Sequence, residues 1–229
     1  MHLRGQVLAA GETYHVFNRG AHKQAICTSA ADYERLLLLL YLYNTPERVV
    51  TRDVLSKYST KRHKNACFTD IFRREYSEKS LVDILAYCLM PNHFHLIVRP
   101  KTDTSLQTFV QKVCVAYSMY FNTKYLHSGT IFQGRYKAVH VESDSQFRYL
   151  FAYVHLNPLD LLQSDWKEVG IRNERKARTF LSEYRYSSFL DASVERPQRA
   201  ILAEEIPEFL KEQNDVEELM QWQQRIAHP

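Results

Sequence analysis

His93-Phe94-His95 sets two imidazoles two residues apart. On a β-strand successive side chains alternate faces, so both rings would point one way while Phe94 enters the other side. Two neutral imidazoles on a rigid strand suit a divalent cation, and with oxygen donors and phosphate oxygens completing the set the fitting ions are Mg²⁺ and Mn²⁺. The chain has ten histidines, so the pair also reads as two satisfied or exposed side chains, and the motif by itself leaves both readings open. Two other phosphate chemistries conflict with the neighbouring letters. A histidine-triad hydrolase needs a third alternating His where Ile97 stands, and His95-Leu96-Ile97 does not supply the H-x-[ST] motif of the two-histidine phosphoesterases.

A second group of chemical side chains lies farther along. Tyr149, Tyr153 and Asn157 are spaced by four, which on a helix places them on one face. A phenol with a reference pKa of about 10 is a poor nucleophile at pH 7, and a cation close by favours its phenolate. Fifteen tyrosines occur, so most must be packing residues, and Tyr149 and Tyr136 compete with Tyr153 for such a role. His155 is two residues from Tyr153, which on a helix turns it to a different side.

Several elements must position these groups. Thr13 to Asn18 is rich in β-branched and aromatic residues and stops at Arg19-Gly20, which predicts a first strand. Ala30 to Tyr43 predicts a helix, with Tyr33, Leu36, Leu37, Leu40 and Tyr41 at helical spacing and Asn44-Thr45-Pro46 as its stop. Leu81 to Leu89 and His93 to Val98 flank Met90-Pro91-Asn92 as a hairpin of two buried strands. Thr104 to Lys124 predicts a long helix with one apolar stripe, and Tyr136 to Val141 a fourth strand. Ser143 and Gln146 have capping-box spacing for a helix reaching about Leu156, whose stripe is Phe147, Leu150, Phe151 and Val154. The fold class is therefore α+β: a ferredoxin-like β-α-β-β-α-β antiparallel sheet with helices on one face, followed by the tyrosine-bearing helix.

Residues 1–190 form the expected main domain, interrupted at about 47–80 by a polar, basic insertion with one short helix. Residues 191–229 are an acidic helical extension, its helix expected from about Ala203 to Arg225. Residues 201–229 carry two basic against seven acidic side chains, so the preceding 200 residues hold +9 of a net charge of only +4. Between Arg52 and Lys79 eight basic residues face four acids, and such clusters favour a polyanion such as nucleic acid, or simply form a solvated face. A 45% hydrophobic, 24% charged composition excludes a disordered or collagen-like chain. The longest apolar run, Leu36 to Leu40, is far short of the ~18 residues of a membrane span, and no signal-peptide pattern is present, so a cytoplasmic protein without a membrane partner is expected. Cys27, Cys67, Cys88 and Cys114 form no C-x-x-C pair, so neither a zinc knuckle nor a redox motif is indicated and free buried thiols are expected.

Four blocks in order carry a resemblance: Tyr14-His15-Val16-Phe17-Asn18-Arg19-Gly20, Met90-Pro91-Asn92-His93-Phe94-His95-Leu96-Ile97-Val98, Phe132-Gln133-Gly134-Arg135-Tyr136-Lys137 and Tyr153-Val154-His155-Leu156-Asn157-Pro158. Over about residues 10–190 the chain resembles the REP-associated tyrosine transposases, of the HUH single-tyrosine superfamily. The resemblance implies His93, His95 and Asn157 as ligands of Mg²⁺ or Mn²⁺, with Asn157 where other superfamily members use Gln. It implies Tyr153 as nucleophile, forming a 5′-phosphotyrosine, and single-stranded or hairpin DNA such as folded palindromic repeats as substrate, with no nucleotide cofactor. Pro158 disfavours helical geometry at the residue before it, so Asn157 is expected at a helix end. Arg19, Arg135 and Lys137 flank the blocks and Arg148 lies on the tyrosine helix, which makes them the candidate DNA contacts; exposed ion pairing is the alternative for each. A monomer is favoured over a homodimer. The competing functions are a non-catalytic hairpin-DNA-binding module and a replication or mobilisation nickase of the same superfamily.

Overall fold

The computed structural model describes residues 8–58, 80–191, 196–203 and 219. Its order is β1 (Tyr14–Arg19), α1 (Ala30–Leu42), α2 (Thr51–Tyr58), β2 (Val82–Leu89), β3 (His93–Pro100), α3 (Ser105–Tyr125), β4 (Lys137–His140) and α4 (Asp144–Leu156), then short helices including α5 (Trp166–Val169) and α6 (Glu174–Glu183). The fold is α+β, and its four strands form one antiparallel sheet in the order β2-β3-β1-β4. The order and the two helical crossovers match the expected ferredoxin-like arrangement. Ends differ by one or two residues: β1 starts at Tyr14 rather than Thr13, β3 runs on to Pro100 rather than stopping at Val98, and β4 is shorter than expected by one residue at each end.

Alternation sorts the sheet into two faces. Tyr14 and Val16 of β1 stand in register with Val98 and Leu96 of β3. On that side Phe94, Leu96 and Leu89 close around one apolar gap with Leu36 and Leu40 of α1 and Phe109, Val110 and Val113 of α3. The leucine run is buried all round because its parts face different neighbours. Leu36, Leu37, Leu39 and Leu40 join the main core, whereas Leu38 and Leu42 pack with Val49, Val54 and Leu55 and so hold α2. In β2 a bulge lets Leu85 fall between Ile84 and Ala86 without a partner of its own, which shifts the register while the strand stays buried.

The opposite face carries His15 and Phe17 in register with Ile97 and His95, and α4 lies over it. The α4 start follows from Ser143, whose Oγ accepts the Gln146 N–H at 3.2 Å, though the Gln146 side chain reaches back to Glu142 N rather than to Ser143. Residues 184–189, with Tyr184, Tyr186 and Phe189, lie as an added edge beside β2. Leu89 N donates to Tyr186 O at 2.9 Å, and Ser188 Oγ accepts Tyr87 N–H at 2.9 Å while meeting His155 Nε2 of α4 at 2.8 Å. That single serine ties the far side of α4 to the sheet. Gly20 is required by close approach, since an added Cβ would lie 2.1 Å from the backbone oxygen of Gln24. The tight turn it permits lets Ile26 and Cys27 donate to Pro91 O at 2.7 and 2.9 Å, bracing the β2-β3 hairpin just ahead of His93.

Asp32 is the main buried charge of the framework. Thr28 and Ser29 N–H groups, the Tyr120 and Tyr125 hydroxyls and Lys124 Nζ all donate to its carboxylate between 2.6 and 3.0 Å, joining the start of α1 to the end of α3. Burial pushes this carboxyl up, but the Lys124, Tyr125, Thr28 and Tyr120 bonds outweigh it and hold the group well below the ordinary carboxylate range. Asp32→Asn is expected to destabilise by about 2–4 kcal/mol, below the upper end for a fully buried pair because Lys124 is 31% exposed. The wild-type contribution is full above the ordinary carboxylate pKa and is lost as pH falls toward the depressed folded value. His155 acts in the same direction: burial lowers it from 6.5 to about 3, so the unfolded chain binds the extra proton throughout that window and acid again favours unfolding. Denaturant melts of wild type and variant from pH 7 down to pH 3 check both signs; a wild-type advantage that grows on acidification contradicts the Asp32 argument.

Among the described residues no helix is long and apolar enough to cross a membrane. Cys27 and Cys88 are buried thiols, and Cys114 is a half-buried one. Of the basic insertion only α2 and its flanks are described; the stretch 59–79, with Cys67, lies outside the described residues. So does the acidic helix expected from Ala203 to Arg225, apart from Ala203 and the buried Leu219.

Candidate active site

Strand alternation does for His93 and His95 what the sequence led one to expect. Both rings emerge on the face covered by α4, their centroids 4.9 Å apart and their planes nearly perpendicular, while Phe94 enters the apolar core with Phe132. Across the gap α4 presents Tyr153, whose ring meets the His95 ring edge-on at 5.4 Å. Tyr149, one turn earlier, stacks on Tyr153 at 6.4 Å. His155 points to the other side of α4, toward Ser188, and stands outside this group.

Asn157 is fully buried and its Oδ1 lies 3.2 Å from His93 Nε2. It is at the C-cap of α4, as expected, but its backbone is helical (φ −53°, ψ −36°) despite the proline that follows. The chain tightens there into a 3-10 turn, Asn157–Leu161, which accepts Pro158 near its start, where a missing N–H costs no hydrogen bond. This continuation aims the Asn157 amide back at the histidines.

Burial lowers His93, His95 and His15, the last to about 4, so all three imidazoles are neutral at pH 7. Arg19 and Lys167 add to the effect on His93. Neutral rings have a lone pair to give. His93 Nδ1 is 2.6 Å from Asn92 Oδ1, which can only accept, so the ring hydrogen sits on Nδ1 and the Nε2 lone pair faces Asn157 Oδ1. Two acceptors thus meet at 3.2 Å, and His95 Nε2 and Asn157 Nδ2 are buried with no hydrogen-bond partner. The His93 and His95 Nε2 atoms and Asn157 Oδ1 form a nitrogen and oxygen set whose chemistry fits a cation, while Asn157 Nδ2 is left as an unmatched donor. Among the described residues no three His, Cys, Asp or Glu side chains gather at metal-holding spacing, and the oxygen that faces His93 Nε2 is that of the Asn157 amide.

The candidate DNA contacts are distributed unequally around this group. Arg19 is exposed and pairs in register with His93, so it borders the same face. Lys137 is exposed, opposite Phe17, with Nζ 5.8 Å from the Phe17 ring centre. Arg135 is exposed in the loop before β4, which Asn18 Nδ2 ties to β1 by donating to Gly134 O at 3.2 Å. Arg148 is half-buried on α4.

Two residues at the site were not anticipated. Lys167 of α5 places Nζ 5.2 Å from the Tyr153 ring centre, held there by Asp160 Oδ2 at 2.8 Å; Trp166 Nε1 donates to the other oxygen of Asp160 at 2.6 Å. Because Asp160 lies three residues after Asn157, the 3-10 turn carries a ligand candidate and the anchor of this ammonium together. No local pattern could have found Lys167, which sits in a four-residue helix with no periodicity. His15 is the other, with Nε2 2.8 Å from His95 Nδ1 and its ring stacked on that of His95.

Residues 50–157, a stretch running from α2 through the histidine pair and Tyr153 to Asn157, match the family described as IS200-like transposases. The chain is also similar to a solved structure of a REP-associated tyrosine transposase bound to a REP hairpin, at 13% identity and a TM-score of 0.46, covering 91% of this chain and 95% of that one. None of the curated proteins compared matches the chain.

Proposed function

Since residues 50–157 match the IS200-like transposases, we propose that this protein nicks and rejoins single-stranded or hairpin DNA through a covalent bond to Tyr153. One juxtaposition carries the reading. Tyr153 and Asn157, one turn apart, meet His95 and His93 respectively across the gap between α4 and the sheet. In the step we envisage, Tyr153 Oη attacks phosphorus in line, loses its proton and forms the P–O bond, while the P–O3′ bond breaks and the departing 3′-oxygen takes up a proton. The products are a 5′-phosphotyrosine and a free 3′-OH. Joining runs the same exchange in reverse, and because the phosphodiester's activation is kept no nucleotide cofactor is needed. A Mg²⁺ or Mn²⁺ held by His93, His95 and Asn157 would supply polarisation of a non-bridging phosphate oxygen. Lys167, beside the nucleophile, adds a fixed positive charge where the phosphate must sit.

The four sequence blocks support the finer assignment to the REP-associated branch, and with it folded palindromic repeats as the substrate. The test is incubation of the full chain with end-labelled hairpin and single-stranded oligonucleotides plus Mg²⁺ or Mn²⁺, with mass spectrometry of the trapped product. An adduct on a peptide containing Tyr153, formed with metal and abolished by chelator, is expected. Tight binding with neither cleavage nor adduct would establish the non-catalytic binding module instead.

Arg19 and Lys137, exposed on the rim of the histidine-bearing face, are assigned to the phosphate backbone. Each Ala substitution is expected to weaken oligonucleotide binding for all sequences alike and to lower the slope of log K against log salt by roughly 0.7, the loss of one single-strand phosphate contact. Fluorescence anisotropy across a salt series measures it; an unchanged slope removes the residue from the DNA path.

A further inference from the structure

We propose that His15 is a positioning residue, the acceptor that fixes the ring and tautomer of His95 so that Nε2 presents a lone pair to the cation. The inference rests on the reading of His93, His95 and Asn157 as the cation site. It concerns a residue outside the 50–157 match.

The two site histidines are engaged in parallel. In each, Nδ1 is held by a neighbour, Asn92 Oδ1 at 2.6 Å for His93 and His15 Nε2 at 2.8 Å for His95, and in each Nε2 is turned away from that neighbour. For His93 the choice is forced, because an amide oxygen only accepts. For His95 the partner is another imidazole, and either ring could give the hydrogen. If His15 gave it, His95 Nε2 would carry a hydrogen at a buried position that has no acceptor. With His95 Nδ1 as donor, the same buried atom is a lone pair matching that of His93. His15 is suited to accept: it is only half-buried, so its remaining N–H can be solvated, and Phe17 at 4.8 Å and the Tyr153 edge at 6.2 Å hold its ring. Ligating histidines generally donate their second ring N–H to an outer acceptor, and removing it lowers metal affinity about 10–100-fold. Here β1 supplies that acceptor.

The experiment is Mn²⁺ titration followed by electron paramagnetic resonance on full-length wild type, His15→Leu and His15→Gln. Gln keeps an acceptor oxygen; Leu keeps bulk alone. Affinity is expected to fall about 10–100-fold in His15→Leu and to return to within a few-fold of wild type in His15→Gln. Equal affinity in wild type and His15→Leu overturns the role of His15 while leaving the cation site intact. Loss in both variants overturns it as a hydrogen-bond effect, and a wild type that binds no Mn²⁺ removes the site reading together with this one. Nitrogen-15 spectra of the metal-free wild type give a reading that needs no variant of His15. The His95 signal, assigned by its absence in His95→Gln, is expected to show the Nδ1–H tautomer, and an Nε2–H tautomer overturns the proposal.

Discussion

Tyr153→Phe is expected to leave oligonucleotide binding within about twofold of wild type while eliminating the covalent adduct, with cleavage lowered by on the order of 10⁴-fold or more, the scale on which removing a covalent nucleophile acts. The change deletes one oxygen. The ring that remains still meets His95 and His15 edge-on, stacks on Tyr149 and lies under the Lys167 ammonium, so neither the packing of α4 nor the proposed cation site has reason to move. A defect that spares binding therefore isolates the nucleophile. Tyr149→Phe is the matched control, because Tyr149 touches the site through Tyr153 and not through either histidine of β3. An adduct that survives in Tyr153→Phe and disappears in Tyr149→Phe reverses the assignment. Gel shift of the denatured complex and single-turnover cleavage on one oligonucleotide separate the two outcomes.

What could be read beforehand was governed by local periodicity. The His-x-His pair declared its shared face through the two-residue strand period, and Tyr153 with Asn157 through the four-residue spacing of a helix, so the site's chemical groups were visible as two separate halves. Their meeting was carried by the family resemblance and not by either pattern. The residues that escaped depend on partners far away in sequence. His15 reaches His95 across 80 residues because β1 lies beside β3, and that adjacency is a property of sheet order, which no short window of sequence contains. Lys167 depends on a turn held by Asp160 and Trp166. Ser188 likewise joins β2 to the back of α4 through Tyr87 and His155, which lie 101 and 33 positions away in sequence. The pre-proline rule gave the right place for Asn157 and the wrong backbone, since a 3-10 turn gives the proline a position that an α-helix interior does not. Even the leucine run, legible as a buried helix, concealed that Leu38 and Leu42 serve a different neighbour from the rest.

Asn157 allows stability and function to be separated in one residue. Its amide is fully buried, Nδ2 has no partner, and Oδ1 faces the lone pair of His93 rather than a donor. An unsatisfied buried polar group of this kind costs about 1–3 kcal/mol. Leucine has the same branched heavy-atom skeleton, somewhat bulkier, and no polar atom, so Asn157→Leu is expected to melt at or above the wild-type temperature, by about 2–4 °C for each 1 kcal/mol recovered in a chain of this size. The same change removes the only oxygen donor proposed beside the two histidines. Loss of several kcal/mol of charge stabilisation at the phosphate corresponds to a fall in cleavage of about 10²–10³-fold, at one factor of ten per 1.4 kcal/mol. His95→Ala should match that loss but with lowered stability, because it also empties a packed position between Phe17 and Tyr153. A polar group that weakens the fold while serving a reaction is the ordinary signature of a functional site. Should Asn157→Leu be stabilised and still cleave at the wild-type rate, Asn157 is not a ligand, and the third donor has to be sought in water or in the DNA itself.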